Sequence, residues 1–254
     1  MSVLELKKVN YSYFTTKGET SALKNIDLSV KNGQFISIVG PSGCGKSTLL
    51  SLISGLIKPT SGEILINGKP VEEEKSHIGY MLQHDHLFEW RTVYGNVVLG
   101  LEINKKKDDM NKADYFLDQY GLSEFKKARP SELSGGMRQR VALIRTLILE
   151  PDILLLDEPF SALDYQTRLT VCDDISSIIK KEHKTAILVT HDLAEAISVG
   201  EAVYVLSKRP GTIQATIEMD FPVSMTSIER RDTEAFRDYF NILWKELMNN
   251  EQEM

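Results

Sequence analysis

The segment Gly40-Pro41-Ser42-Gly43-Cys44-Gly45-Lys46-Ser47-Thr48 stands between the apolar run Phe35-Ile36-Ser37-Ile38-Val39 and the aliphatic stretch Leu49-Leu50-Ser51-Leu52-Ile53. A strand must therefore run through a glycine-rich loop straight into a helix, which commits this part of the chain to an α/β core. The glycines let the backbone curl until successive N–H groups face one concave anion site, and the helix start adds its dipole. Lys46 is placed to reach outer phosphates, and Ser47 offers a hydroxyl to Mg²⁺. The expected ligand is a nucleoside triphosphate. The loop alone does not name the reaction, because kinases, GTPases, helicases, motors and transport ATPases all use it.

Composition narrows the partners. With 254 residues, 42% of them hydrophobic, the chain can bury a full core. A formal net charge of −6 argues against nucleic acid, whose phosphates call for an excess of lysine and arginine. The two cysteines, Cys44 and Cys172, are too few for a disulfide framework, and Cys44 lies inside the phosphate loop, so a reducing cytoplasm is expected. The start Met1 to Val9 alternates like a strand and lacks a secretory signal's apolar stretch. The longest purely aliphatic run is Ile153-Leu154-Leu155-Leu156, far short of a membrane span.

Residues 3–9, 26–30 and 63–66 read as short strands bounded by turns such as Lys31-Asn32-Gly33 and Asn67-Gly68, giving a small antiparallel sheet beside the phosphate loop. Residues 35–39, 153–156, 186–190 and 202–206 are compact apolar runs without strict alternation. That is the pattern of strands covered on both faces, here separated by helical stretches, so a central, mainly parallel sheet is expected. From about 84 to 150 the chain turns helical and polar, as an inserted helical subdomain would. The predicted organisation is an ATP-binding domain over 1–220 and a helical extension over 221–254, whose Phe236, Tyr239, Phe240, Leu243, Trp244 and Leu247 recur at helical spacing and are expected to pack on the same domain.

Two further clusters carry chemistry. In Ile153-Leu154-Leu155-Leu156-Asp157-Glu158-Pro159 a buried strand ends in two carboxylates. Asp157 at its tip can hold the Mg²⁺ shell, while Glu158 is displaced toward the γ-phosphate and can deprotonate water. In Leu133-Ser134-Gly135-Gly136-Met137-Arg138-Gln139-Arg140, a hydroxyl and paired glycines precede a helical run. Ser134 caps that helix, and the glycines allow a phosphate to approach the free N–H groups.

These three motifs together resemble the nucleotide-binding subunit of ATP-binding cassette (ABC) transporters, Leu133 to Met137 matching its signature segment. The resemblance covers nearly the whole chain. It implies an α/β P-loop ATPase core with a mainly parallel sheet, an N-terminal antiparallel β subdomain and an inserted helical subdomain, working with ATP and Mg²⁺. By the same resemblance Tyr13 stacks on adenine, with Tyr11 the second candidate. Gln83 senses Mg²⁺ and the attacking water, and His191 contacts the γ-phosphate. Asp164, in Ser161-Ala162-Leu163-Asp164, belongs to the loop linking two active sites. Ser134, Gly135 and Gly136 of one copy would close over ATP held by the phosphate loop of another, so the resemblance implies an ATP-dependent homodimer.

The same family receives its membrane permease subunits on the region after Gln83, where this chain has Leu87-Phe88-Glu89-Trp90-Arg91-Thr92-Val93; Leu87, Phe88 and Trp90 can equally be subdomain core. That run and Leu206-Ser207-Lys208-Arg209-Pro210-Gly211 look like the importer branch for nitrate, sulfonates and taurine. A peripheral position on the cytoplasmic membrane face, with an extracytoplasmic solute-binding protein as an indirect partner, follows from the likeness. Two rivals are weighed. A GTPase is raised by Asn111-Lys112-Ala113-Asp114 and Asp118-Gln119-Tyr120-Gly121, but these occur in reversed order and outside a buried strand end. A non-transport ABC ATPase of DNA repair or translation would add heptad-repeat arms or a second cassette, and the chain has one copy of each motif.

Overall fold

The computed structural model describes residues 2–16, 18–73 and 78–252. Met1, where the alternating N-terminal pattern begins, lies outside them, as do the last two residues of the C-terminal extension.

The first layer is a four-stranded antiparallel sheet of β1 (Ser2–Thr15), β2 (Gly18–Lys31), β4 (Ser61–Ile66) and β5 (Lys69–Pro70), ordered β2-β1-β4-β5. Its register sets Leu4 opposite Val30 and Ile66, and Leu6 opposite Leu28 and Ile64, so one face collects the apolar side chains. The strands of the hairpin run well past the short segments read from the sequence. Lys8 and Asn25, both at positive φ, insert bulges that shift the register, so the alternation breaks while the pairing continues to Thr15. Asp27 accepts the Lys8 N–H at 2.9 Å and Asn10 accepts that of Asn25 at 2.9 Å, satisfying donors the ladder leaves behind. Gly62 is required opposite the bulge, because a Cβ there would collide with the Lys7 and Lys8 carbonyl oxygens.

The second sheet has six strands in the order β10-β9-β3-β8-β7-β6: β3 (Phe35–Val39), β6 (Ile78–Met81), β7 (Ile153–Asp157), β8 (Thr185–Val189), β9 (Ala202–Leu206) and β10 (Ile213–Glu218). All neighbours are parallel except β9 and β10. Every residue of β3, β7 and β8 is buried, which explains their continuous apolar sequences. Their period-two geometry feeds two cores. Leu154, Leu156, Ala186 and Leu188 point into the helical side, whereas Ile153, Leu155, Ile187 and Val189 meet the antiparallel sheet and α1 (Lys46–Ile53).

Between β6 and β7 lie α2 (Val93–Val97), α3 (Leu99–Ile103), α4 (Asn111–Gln119) and α5 (Gly135–Leu147). Asn111 to Asp114 forms the start of α4, where Asp114 pairs with Lys126 at 2.7 Å; it is not the strand-end setting a guanine-reading motif requires. Then follow α6 (Tyr165–Lys181), α7 (Leu193–Val199), α8 (Ser227–Arg231) and α9 (Glu234–Gln252). Phe236, Tyr239, Phe240, Leu243 and Leu247 of α9 pack onto Ile197 of α7 and Val203 and Val205 of β9, with Leu243 fully buried. Trp244 is the exception in that stripe: it is half exposed and stacks on Phe240 at 6.3 Å. No helix among the described residues is long and apolar enough to cross a membrane.

Candidate nucleotide site

The carboxyl ends of β3, β7 and β8 open onto one cleft of about 610 Å³, lined by residues of the phosphate loop together with Tyr13, Ala22, Glu158, His191 and Arg209. This is the end of a parallel sheet at which α/β folds present ligands. Gly43 and Gly45 sit at φ +74° and +111°, conformations that side chains resist, and a Cβ on Gly45 would stand 2.8 Å from Leu23. The loop thus presses against β2 while its backbone faces the cleft. Lys46 is only 7% exposed, and its Nζ donates to the carbonyls of Gly40 at 2.8 Å and Pro41 at 3.1 Å. The ammonium is held by neutral carbonyls of its own loop, so its charge stays available to an anion.

Ser47 and Asp157 meet although they are far apart in sequence. The Ser47 hydroxyl donates to Asp157 Oδ1 at 3.2 Å, and the Tyr80 hydroxyl donates to Oδ2 at 3.2 Å. Burial pushes the Asp157 carboxyl above its ordinary range, with Glu158 adding repulsion, against the pull of the two hydroxyls and Lys46. A hydroxyl and a carboxylate are the hard oxygen donors that suit Mg²⁺, and a cation there would relieve that cost. Cys44 is buried, which raises its thiol's pKa against the opposing effect of Lys46.

Glu158 takes a positive φ of 45° immediately after β7 while its N–H still bonds Val189 O at 2.9 Å. The chain therefore turns sharply at Glu158, and the carboxylate borders the cleft. Its Oε2 lies 3.0 Å from Nδ1 of His191, which follows β8. The turn carrying His191 is fixed from below: Thr190 Oγ1 donates to buried Glu195 at 2.6 Å, and Asp192 caps α7 by accepting from Ala194 and Glu195. Tyr13, 43% exposed, donates or accepts a 2.9 Å bond with Thr48, and Tyr11 backs it edge-on at 4.9 Å. Of the two tyrosines it is Tyr13 that lines the cleft.

Gln83 reaches this region indirectly, donating to Ser161 Oγ at 3.4 Å, which in turn donates to the Glu158 carbonyl at 3.0 Å. Ser134, Gly135, Gly136 and Asp164 do not line the cleft. Ser134 caps α5 through Met137 N at 3.3 Å, and the two glycines lie against Leu163 and Val171. Asp164 caps α6 through Thr167 N at 3.1 Å, and the Thr167 hydroxyl, followed by that backbone N–H, lowers its carboxyl pKa. His84 and His86 flank an Asp85 that is engaged by Arg138 at 3.1 Å and by Leu87 N at 3.0 Å. Sequence reasoning missed Tyr80 and Glu195, which act through another residue and carry no motif. It noted Arg209 only as part of a run.

Comparison with known proteins identifies the family. The family profile described as ABC transporter matches residues 23–161. The chain is 44% identical to the uncharacterised ABC transporter ATP-binding protein YtlC of Bacillus subtilis, over all of this chain and 98% of that one. It is 43% identical to the nitrate import ATP-binding protein NrtD of Synechocystis sp., covering 86% and 83% of the two chains. It is 42% identical to the taurine import ATP-binding protein TauB of Pelagibacter ubique, covering 87% and 84%. Among solved structures, a dimeric post-hydrolysis state of the ATP-binding cassette MJ0796 with ADP and Pi superimposes with a TM-score of 0.73 at 32% identity, over 86% of this chain and 100% of that one. CbiO1 of Clostridium perfringens, part of the ABC transporter complex cbiONQ, gives 0.76 at 31% identity, over 85% and 88%.

Proposed function

The chain belongs to the ABC transporter ATPase family, and from that premise we propose that it is the ATP-hydrolysing subunit of an importer for nitrate, a sulfonate, taurine or a related small solute. The observation that carries the reading is the convergence of Lys46, Ser47 and the Glu158–His191 pair on one cleft, with Asp157 bonded to Ser47. The solute class rests on the nitrate and taurine relatives.

ATP enters with its base against Tyr13 and its phosphates over residues 40–48, where backbone N–H groups and Lys46 meet the outer phosphates. Ser47, Asp157 and Gln83 would hold Mg²⁺, which supplies positive charge to the phosphate oxygens and aligns them. Glu158 accepts a proton from water as the water oxygen bonds to the γ-phosphorus. The bond from that phosphorus to the β,γ-bridging oxygen breaks, and ADP departs with its electron pair. His191 orients Glu158 through the 3.0 Å contact and bonds a γ-phosphate oxygen.

Ser134, Gly135 and Gly136 stand apart from the cleft of their own chain, which favours their use in trans: a second copy brings them onto the γ-phosphate, with Asp164 beside the junction. The dimer then binds tightly only while the triphosphate is intact. Permease subunits dock on the region after Gln83, where Trp90 is 73% exposed and its ring lies tilted against Phe88 with centroids 4.7 Å apart, while Leu87 belongs to the core. The subunit thus works at the cytoplasmic membrane face, and the solute-binding protein acts on it through the permeases. The test is Glu158→Gln. It should bind ATP as the parent does and lose roughly 10²- to 10⁴-fold in turnover, the size of a general-base contribution. Normal turnover would remove Glu158 from its role.

A further inference from the structure

The run Leu206 to Gly211 has no part in the chemistry above, yet the fold carries it to the mouth of the cleft. Ser207 closes the loop on itself, its N–H bonding Thr212 O at 3.0 Å and its Oγ accepting from Thr212 N at 2.9 Å. Gly211 stitches the loop to β2, donating to Ala22 O and accepting from Lys24 N, each at 2.9 Å. Only glycine fits there, because a Cβ would collide with the Cys44 carbonyl oxygen of the phosphate loop. Between these two anchors stands Arg209. Its Nε and Nη2 donate to Gly43 O at 3.3 and 3.2 Å, and the exposed side chain lines the cleft with Tyr13 and Lys46. No carboxylate pairs with it among the described residues.

A guanidinium is a planar fork, and using one edge on a carbonyl leaves its remaining N–H donors directed elsewhere. A solvent-exposed arginine held against a phosphate-binding loop, with no acid to neutralise it, is set up for an anion that enters the same cleft. We propose that Arg209 is a nucleotide-binding residue, one edge clamped to the phosphate loop through Gly43 O and the other taking a phosphate oxygen of the bound nucleotide. The inference rests on the reading of this cleft as the ATP site. Glu158 and His191 serve the γ-phosphate and Lys46 the outer phosphates, so the contact of Arg209 is assigned to the phosphates that ATP and ADP share. It therefore governs affinity and leaves the bond-breaking step alone.

The experiment is direct titration of the full chain with ATP, ADP and adenosine, with steady-state hydrolysis alongside. Arg209→Ala should weaken ATP and ADP about tenfold, the worth of one charge-assisted hydrogen bond. It should raise KM for ATP correspondingly, change kcat by less than about twofold, and leave adenosine binding unaltered. Arg209→Gln keeps an amide donor for Gly43 O but no charge and should share the defect; Arg209→Lys should recover part of the affinity. Should the alanine variant fold poorly, the glutamine and lysine variants carry the test. Wild-type affinity in Arg209→Gln would make the arginine a clamp on the loop only and overturn the proposal, as would equal loss for adenosine. Lys46→Ala separates the two readings. If it weakens ATP binding while the Arg209 variants do not, this inference alone fails; if neither does, the cleft is not the nucleotide site.

Discussion

Nδ1 of His191 lies 3.0 Å from Oε2 of Glu158, although the two side chains come from the tips of different strands. The pairing is a product of register: β7 and β8 run parallel with Asp157 beside Val189, so the residues just beyond each strand emerge side by side. A histidine bonded to a carboxylate that is to accept a proton fixes where that carboxylate points. His191→Ala is therefore expected to lower kcat by roughly 10- to 10²-fold while ATP affinity changes little. Combined with Glu158→Gln it should cost scarcely more than the glutamine change alone, because the pair acts as a unit. Steady-state and single-turnover hydrolysis check both; fully additive losses would mean the two residues act separately.

Asp157 gives a pH dependence whose sign follows from its burial. The folded chain binds the Asp157 proton more tightly than the unfolded chain does, since burial raises its carboxyl pKa. Its contribution to stability is thus fully present below the ordinary carboxylate range and is lost as pH rises through the raised native value. Above that raised value the nucleotide-free protein holds a partly desolvated carboxylate at a cost. Asp157→Asn should accordingly gain melting temperature relative to the parent as pH rises in the absence of nucleotide, with the gap shrinking on acidification. It should also lose most of the stabilisation that MgATP gives the parent. Melting curves from pH 4 to pH 8, with and without MgATP, read both effects.

Tyr13 offers two separable features, a ring and a hydroxyl. If the ring stacks on the base and the 2.9 Å bond to Thr48 only orients it, Tyr13→Phe should keep ATP affinity within about threefold. Tyr13→Ala should weaken it by roughly tenfold, the worth of one base–aromatic stack. Nucleotide titration decides, and a strong preference for GTP would contradict the stacking assignment.

The C-terminal helix is tied down by Leu243, which is fully buried against α7 and β9. Leu243→Ala should cost about 2–5 kcal/mol of folding stability, as truncation of a buried leucine does. Denaturant unfolding measures it; a cost under about 0.5 kcal/mol would mean α9 detaches easily from the ATPase core.

How much could be read from sequence depended on how locally each feature is encoded. The strands β3, β7, β8 and β9 are apolar runs whose burial on both faces needs no partner information to recognise. The hairpin was shortened because the bulges at Lys8 and Asn25 break the alternation that marks a strand. The antiparallel edge strand β10 has no apolar run to mark it, since Ile213, Ala215 and Ile217 alternate with more exposed residues. The residues of the phosphate loop, Asp157 and Glu158 stand out because they sit at or just past the end of a buried strand, whereas His191 is legible only through the family resemblance. Tyr80 and Glu195 do not stand out, since their value lies in contacts with Asp157 and Thr190 made only after the sheet assembles. Arg209 is the same kind of case, brought to Gly43 from a loop far along the chain.

The central claim is that two copies of this chain clasp ATP between the phosphate loop of one and Ser134, Gly135 and Gly136 of the other. The most direct measurement is the molar mass of Glu158→Gln in solution by light scattering, with and without saturating MgATP. The expected result is a single chain without nucleotide and a pair with MgATP, the pair being lost when Ser134 is also replaced by a bulky acidic residue. A mass of one chain under saturating MgATP would contradict it.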